Sequence, residues 1–286
     1  MSDLPTKTIQ ASISGAGSFC FYNNNIVAIS DEGYIKKFEL NNNSEGLKVI
    51  DSIPVSKKIT QIASNEKDNI VYSGTDKIVH MAFKEKYDRA SNIAKLENIV
   101  HRIAYPNKRV VLIFPEATGA QVYWTEQEKV TVILPEHQNT VLNGDIDPSC
   151  EFIATTGCDG MLHICKLDED SNKIEMVIMK EISEKLELDS EQKLQVSWSS
   201  DGNTLAIAGA KELRVAERRD LTELQTISEI SHDDPISHLC WVNENILITA
   251  DVKNTVKIWN YDTKTVVYKY TNSHNIVSMK YSSSMK

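Results

Sequence analysis

Two thiols and an imidazole lie within eight residues of one another in CDGMLHIC, Cys158 to Cys165. Thiolate and imidazole are the donors that zinc prefers. On a strand Met161, His163 and Cys165 share a face because side chains alternate, while Cys158 falls in the turn before it. A structural zinc site needs four donors, and no second pair at ligand spacing completes the set. The stretch therefore reads as packing. Catalytic signatures are missing in the same sense: the sequence has no Gly-x-Ser-x-Gly elbow, no glycine loop to cradle phosphate and no His-Glu-x-x-His. No catalytic residue, metal, cofactor or small-molecule substrate is expected.

A second possible chemistry is contact with anions. Lys84, Lys86 and Arg89 cluster in KEKYDR, Lys108 and Arg109 in NKR, and Arg218 and Arg219 in ERR. If the flanking segments are strands of one repeated unit, these loops emerge on the same side and offer a small surface to a protein or a weak DNA contact. The whole chain opposes a broader role of that kind. A formal charge of -9 and a pI near 5.3 disfavour a surface that grips phosphate backbones throughout. The run EISEKLELDSEQ carries acids at Glu181, Glu184, Glu187, Asp189 and Glu191 against Lys185. It reads as a solvated loop or short helix, with an acidic docking lip as the functional alternative.

The elements that would carry these residues are strands. The 286 residues are 41% apolar and 25% charged, which is ample for a large core. In NTVKIWNYDTKTVVYKY, Asn254 to Tyr270, two alternating runs flank a polar turn, the pattern of a hairpin. Runs like the first recur as YIKKF, KIVHMAF, AQVYW, MLHIC and ELRVA, each after a β-branched run and a turn. Their last residues, Phe38, Phe83, Trp124, Cys165, Ala216 and Trp259, are spaced by 45, 41, 41, 51 and 43.

A period near 40 to 45 with four strands per unit is that of β-propeller blades. First strands (SFCFY, ITQIAS, VHRIAY, TVLNGDI, KLQVSW, PISHLCW) and fourth strands complete six blades in an all-β, single-domain chain spanning 1–286. The long interval places an acidic insertion at 168–193. Two further alternating runs remain, TKTIQASI at 6–13 and NIVSMKY at 275–281. They suggest a seven-bladed ring: 275–286 opens an incomplete last blade, and 6–13 closes the ring as its outermost strand. The alternative is a six-bladed ring.

Residues 1–20 contain no charged segment followed by an apolar one, and no run approaches the length needed to span a bilayer. Five scattered cysteines suit a reducing compartment. No membrane partner is expected.

Several segments resemble WD repeats. SWSSDGNTLAIAG contains Trp198 and Gly202, GCDGMLHIC contains Asp159 and Gly160, and HDDPISHLCW, from His232 to Trp241, precedes TVKIWN. The resemblance implies a buried set of His, Ser or Thr, Asp and Trp within a blade. His232, Thr249 and Trp259 match, whereas Lys253 stands where the Asp is usual, two residues before Thr255. From Leu142 onward the order of blades is similar to the N-terminal propeller of a replication adaptor family, the acidic nucleoplasmic DNA-binding protein, called chromosome transmission fidelity factor four in yeast. That resemblance implies a nuclear, non-enzymatic adaptor that works with the replicative helicase, recruits polymerase alpha-primase and supports sister chromatid cohesion. The other expectation is a generic WD-repeat scaffold in trafficking, ubiquitin ligase or ribosome assembly complexes, with a cytoplasmic location.

Overall fold

Short alternating runs cut by Gly, Asn and Asp make short strands, and a computed structural model of the chain contains 24 of them. It describes residues 18–29, 34–41, 46–55, 58–65, 69–83, 89–105, 109–116, 119–134, 137–168, 173–182, 194–276 and 278–281. Blade 1 is β1 (Phe19–Tyr22), β2 (Asn25–Ile29), β3 (Tyr34–Asn41) and β4 (Gly46–Pro54). Blade 2 is β5 (Ile59–Ser64), β6 (Asn69–Gly74), β7 (Ile78–Phe83) and β8 (Ser91–Lys95). Blade 3 is β9 (Val100–Ala104), β10 (Val110–Pro115), β11 (Gln121–Trp124) and β12 (Lys129–Ile133). Blade 4 is β13 (Val141–Ile146), β14 (Phe152–Gly157), β15 (Met161–Asp168) and β16 (Lys173–Glu181). Blade 5 is β17 (Gln195–Trp198), β18 (Thr204–Ala208), β19 (Glu212–Glu217) and β20 (Asp220–Ser231). Blade 6 is β21 (Ile236–Trp241), β22 (Ile246–Asp251), β23 (Thr255–Asn260) and β24 (Thr265–Thr271).

Each blade is an antiparallel sheet with its strands in chain order. Turn chemistry sets the registers. Asn23 and Asn24 both take positive φ, 46° and 60°, which is the backbone of a type I′ turn and lets Tyr22 pair directly with Asn25. Gly202, at φ 71°, occupies the left-handed conformation in the β17–β18 turn.

The fold is a six-bladed β-propeller, the smaller of the two expected rings. The seven-bladed reading is corrected at its last blade: residues 275, 276 and 278–281 are described and form no strand. A strand exists only where a neighbour takes up its N–H and C=O groups, and here side chains do so instead. The Ile276 N–H donates to Asn254 Oδ1 at 2.9 Å. Residues 6–13 and 282–286 lie outside the described residues. Within 168–193, residues 173–181 are β16, the outer strand of blade 4, while 169–172 and 183–193 are not described.

Successive blades pack face to face through apolar clusters. Cys20, Tyr22 and Val27 meet Ile62, Ile70 and Tyr72 between blades 1 and 2. Val71 and Met81 meet Ile103, Ile113 and Tyr123 between blades 2 and 3. Leu112, Phe114 and Trp124 meet Ile153 and Cys165 between blades 3 and 4. Leu162 and Ile164 meet Trp198 and Leu205 between blades 4 and 5. Leu213 and Val215 meet Trp241, Leu247 and Trp259 between blades 5 and 6. Among the described residues no such cluster joins blade 6 to blade 1. In that seam Lys280 donates to the Phe19 carbonyl at 2.7 Å, its ammonium 5.7 Å from the Phe19 ring centre.

Phe114 tests this interblade packing. It is fully buried, and its ring fills the space that a side chain at Gly144 would need, 2.7 Å from the ideal Cβ position. Phe114→Ala is expected to lower unfolding free energy by about 3–5 kcal/mol. The exposed Val266→Ala is expected to stay within about 0.5 kcal/mol of the parent. Urea denaturation followed by tryptophan fluorescence reads both.

Candidate protein-docking site

Two blades hold a buried chain of hydrogen bonds that fixes their inner strands. In blade 6 the Trp259 indole N–H donates to Thr249 Oγ1 at 2.8 Å, and that hydroxyl lies 2.7 Å from His232 Nε2. His232 Nδ1 lies 2.9 Å from Asp251 Oδ2. Burial lowers the His232 pKa and the bond to Asp251 only partly restores it. With a neutral ring every contact is satisfied: Trp259 donates to the hydroxyl, the hydroxyl donates to Nε2, and Nδ1–H donates to the carboxylate.

Lys253 is therefore no defect in the set. Asp251 supplies the carboxylate from the end of β22, and its other oxygen accepts the N–H groups of Lys253 and Thr255 at 2.9 Å each. The same side chain orients the histidine and caps the turn into β23.

Blade 4 repeats the arrangement around Asp159, with His137 and Thr155, which the sequence did not single out. His137 Nδ1 lies 3.0 Å from Asp159 Oδ1 and Nε2 lies 2.9 Å from Thr155 Oγ1. Burial raises the Asp159 pKa, but hydrogen bonds from His137 and from the Met161 and Gln138 N–H groups outweigh it and hold the carboxylate below its usual range. Asp159 caps a turn in which Gly160 has φ 78°. The available signal was HQNT ahead of β13, the counterpart of HDDP ahead of β21.

The metal-like stretch beside this set is packing. His163 stacks on His137 with ring centres 3.8 Å apart, and burial pushes the Cys165 thiol up to about 12. Cys158 is buried, and burial followed by the Asp159 charge raises its pKa as well. Trp198 is buried between blades 4 and 5, and its backbone N–H donates to Asp145 at 2.8 Å. The Trp241 indole N–H donates to the Ser197 carbonyl at 3.1 Å, and its ring meets Tyr261 edge-on. Side chains of this kind hold blades together and leave little to offer a partner.

Of the basic residues, Lys84, Lys86 and Lys108 lie outside the described residues. Arg89 is exposed and Arg109 half-buried. Arg218 is committed to the junction of blades 4 and 5: it donates to Asp147 at 2.7 Å and Ser149 at 3.1 Å, pairs with Glu151, and lies over the Phe152 ring at 4.9 Å. Arg219 is well exposed but has Glu217 2.6 Å away.

Exposed apolar side chains concentrate in blades 1 and 6. Of ten large hydrophobic residues exposed among those described, seven belong to blade 1, blade 6 or the segment between them: Tyr34, Val49, Ile50, Val266, Val267, Tyr268 and Tyr281. Register explains their direction. In blade 1 the faces alternate, so residues not turned to blade 2 face the seam, and Phe21, Ile26, Phe38 and Val49 follow one another across β1 to β4. Cys240, Ile248, Ile258 and Tyr268 do the same across β21 to β24 of blade 6. The inner members, Phe38 and Ile258, are buried, while the outer ones, Val49 and Tyr268, are 50% and 53% exposed.

The six inner strands surround a channel of about 770 Å³. Ser, Asn and Gln side chains line much of it, together with Arg102, Asp145 and Lys280. Burial pushes Asp145 up to about 6 in spite of the N–H groups of Trp198 and Ile146 and the nearby Arg102 charge.

Residues 196–284, which span blades 5 and 6, match the family model of the anaphase-promoting complex subunit 4 WD40 domain. WD repeat-containing protein 55 homologs from Drosophila erecta and Drosophila melanogaster are 27% and 26% identical over 122 residues, 43% of this chain. The matched stretch spans 23% of the length of those relatives. These likenesses and the blade geometry support a WD-repeat β-propeller, a kind of fold that generally serves as a non-enzymatic scaffold for other proteins.

The hydrogen-bonded set in blade 6 predicts that Thr249→Val, which leaves both His232 Nε2 and the Trp259 indole unpaired, costs about 2–4 kcal/mol. Lys253→Ala is expected to change stability by less than about 0.5 kcal/mol. Chemical denaturation distinguishes Asp251 from residue 253 as the anchor. Asp145 predicts a pH dependence. Its folded pKa of about 6 lies above the usual 3.8, so the native state holds that proton more tightly and loses stability as pH rises from about 4 to 6. Asp145→Asn is therefore expected to be more stable than the parent above pH 6, by up to about 3 kcal/mol, with the advantage gone near pH 4. Melting curves across pH 4–8 check it.

Proposed function

We propose that this chain is a non-enzymatic docking propeller that seats a partner protein in the seam between blades 6 and 1, and that the partner belongs to a chromatin-bound replication assembly. The seam carries the docking reading. Every other junction between consecutive blades has an apolar core, whereas here the outer parts of both walls present aliphatic and aromatic side chains to solvent. The fitting occupant is a β-hairpin of the partner, apolar on both faces, because one face must cover Val49 and the other Tyr268.

The replication assignment rests on the order and spacing of repeats from Leu142 onward, with helicase and polymerase alpha-primase subunits as the partners and the nucleus as the location. Arg89, Arg109 and Arg219 would supply any accompanying weak DNA contact. The matches to WD repeat-containing protein 55 homologs favour a second reading, a WD-repeat scaffold without replication partners.

Affinity purification of the full-length gene product from dividing cells, followed by mass spectrometry, tests both parts. Helicase and polymerase alpha-primase subunits are expected with the parent protein. Val49→Ser combined with Tyr268→Ser is expected to reduce their recovery about tenfold, while the melting temperature is retained because both side chains are exposed. Recovery of coat, ligase or ribosome-assembly components instead discards the replication assignment. Undiminished capture by the double variant discards the seam.

A further inference from the structure

We propose that the central channel binds the carboxylate of an acidic peptide side chain between Arg102 and Lys280. The two cations come from different walls. Arg102 is on β9 of blade 3, and Lys280 is in the segment between blades 6 and 1, across the ring from it. Both line the channel, which has the size of a ligand cavity and is large enough for a few residues of extended peptide.

Among the described residues neither cation has an ion-pair partner in contact, and the Asp145 charge only partly offsets the burial of Arg102. Arg102 makes no hydrogen bond or ion pair with any described residue, and its Nε is buried without a partner. Lys280 donates to the Phe19 carbonyl, which is neutral. Lys280 is exposed to the channel, and desolvation followed by the nearby Arg102 charge lowers its pKa. Arg102 is half-buried, and two like charges facing a common space attract an anion that can join them.

The surrounding groups decide which anion. His101, on β9 beside Arg102, has its pKa lowered to about 4 by burial and is neutral at pH 7. Burial pushes the Cys240 thiol up to about 12, so it too carries no charge. His238 Nδ1 lies 2.9 Å from the Ser237 hydroxyl. Asp145 is the one carboxylate lining the channel among the described residues. With Arg102 and Lys280 charged and Asp145 ionised, the three sum to a single positive charge. A monovalent carboxylate neutralises that charge, whereas a dianionic phosphate overshoots it and meets repulsion from Asp145. A guanidinium fork is suited to a carboxylate, and an ammonium adds a donor from the other side.

The assignment is tested on the full chain at pH 7.5 by NMR titration with the capped peptide acetyl-Gly-Asp-Gly-amide, its Asn counterpart and inorganic phosphate. The Asp peptide is expected to bind about tenfold or more tightly than the Asn peptide, and to weaken as sodium chloride is raised. Arg102→Gln and Lys280→Gln are each expected to weaken it about tenfold, with the melting transition retained. Equal binding of the two peptides, or an Arg102→Gln protein that binds as the parent does, overturns the proposal. Phosphate binding more tightly than the Asp peptide overturns the choice of carboxylate. The peptide comparison needs only the parent protein, so the test stands even if a variant fails to fold.

Discussion

A four-stranded sheet has two faces, and a propeller is stable because each face is covered by the next sheet along. All the larger apolar clusters of this chain lie between consecutive blades. The blade interior contributes the hydrogen-bond ladder, but the free energy of burial comes from the junctions. Positions such as Phe114, Leu162 and Trp259 are thus determined as much by the neighbouring blade as by their own. Among the described residues the seam between blades 6 and 1 is the junction without an apolar cluster, and Val49 and Tyr268 are exposed on its two walls.

Polar interactions do a different job. The sets built on His137 and His232 tie the entry to an inner strand, the middle of the second strand and the turn before the third into one unit. Arg218 links blade 4 to blade 5 through Asp147, Glu151 and the Phe152 ring. Each of these side chains satisfies several partners at once, so the turns keep their geometry without a large local core. Arg102 stands apart, since it makes no hydrogen bond or ion pair with a described residue and the nearby Asp145 charge only partly offsets its own.

The blades were legible in the sequence because strand burial has a period of two and the unit recurs about every 40 residues; the markers from Phe38 to Trp259 fall at the ends of third strands or within a few residues of them. The carboxylate of blade 6 was not legible at Lys253, since what matters is reach to both the imidazole and the turn N–H groups. Asp251 has that reach from a different position. His137 was hidden because its partners Thr155 and Asp159 are distant in the chain. The alternation in NIVSMKY resembled a strand, yet pairing is a non-local property, and its neighbours decided otherwise. Arg102 in VHRIAY gave no sign of facing a channel rather than solvent.

Among the described residues one junction lacks an apolar core, and that changes the kind of cooperativity they have. A closed ring of blades couples every unit to two neighbours, whereas five cored junctions among six blades make a linear array with two ends. In a linear array stability is a sum over nearest-neighbour couplings, and the terminal units have one coupling where interior units have two. Blades 1 and 6 are those terminal units, so fraying begins with them and travels inward. A protein that filled the seam, as proposed, would supply a further coupling and turn the array into a cycle. Occupancy at one place is then felt as added protection against opening all the way around.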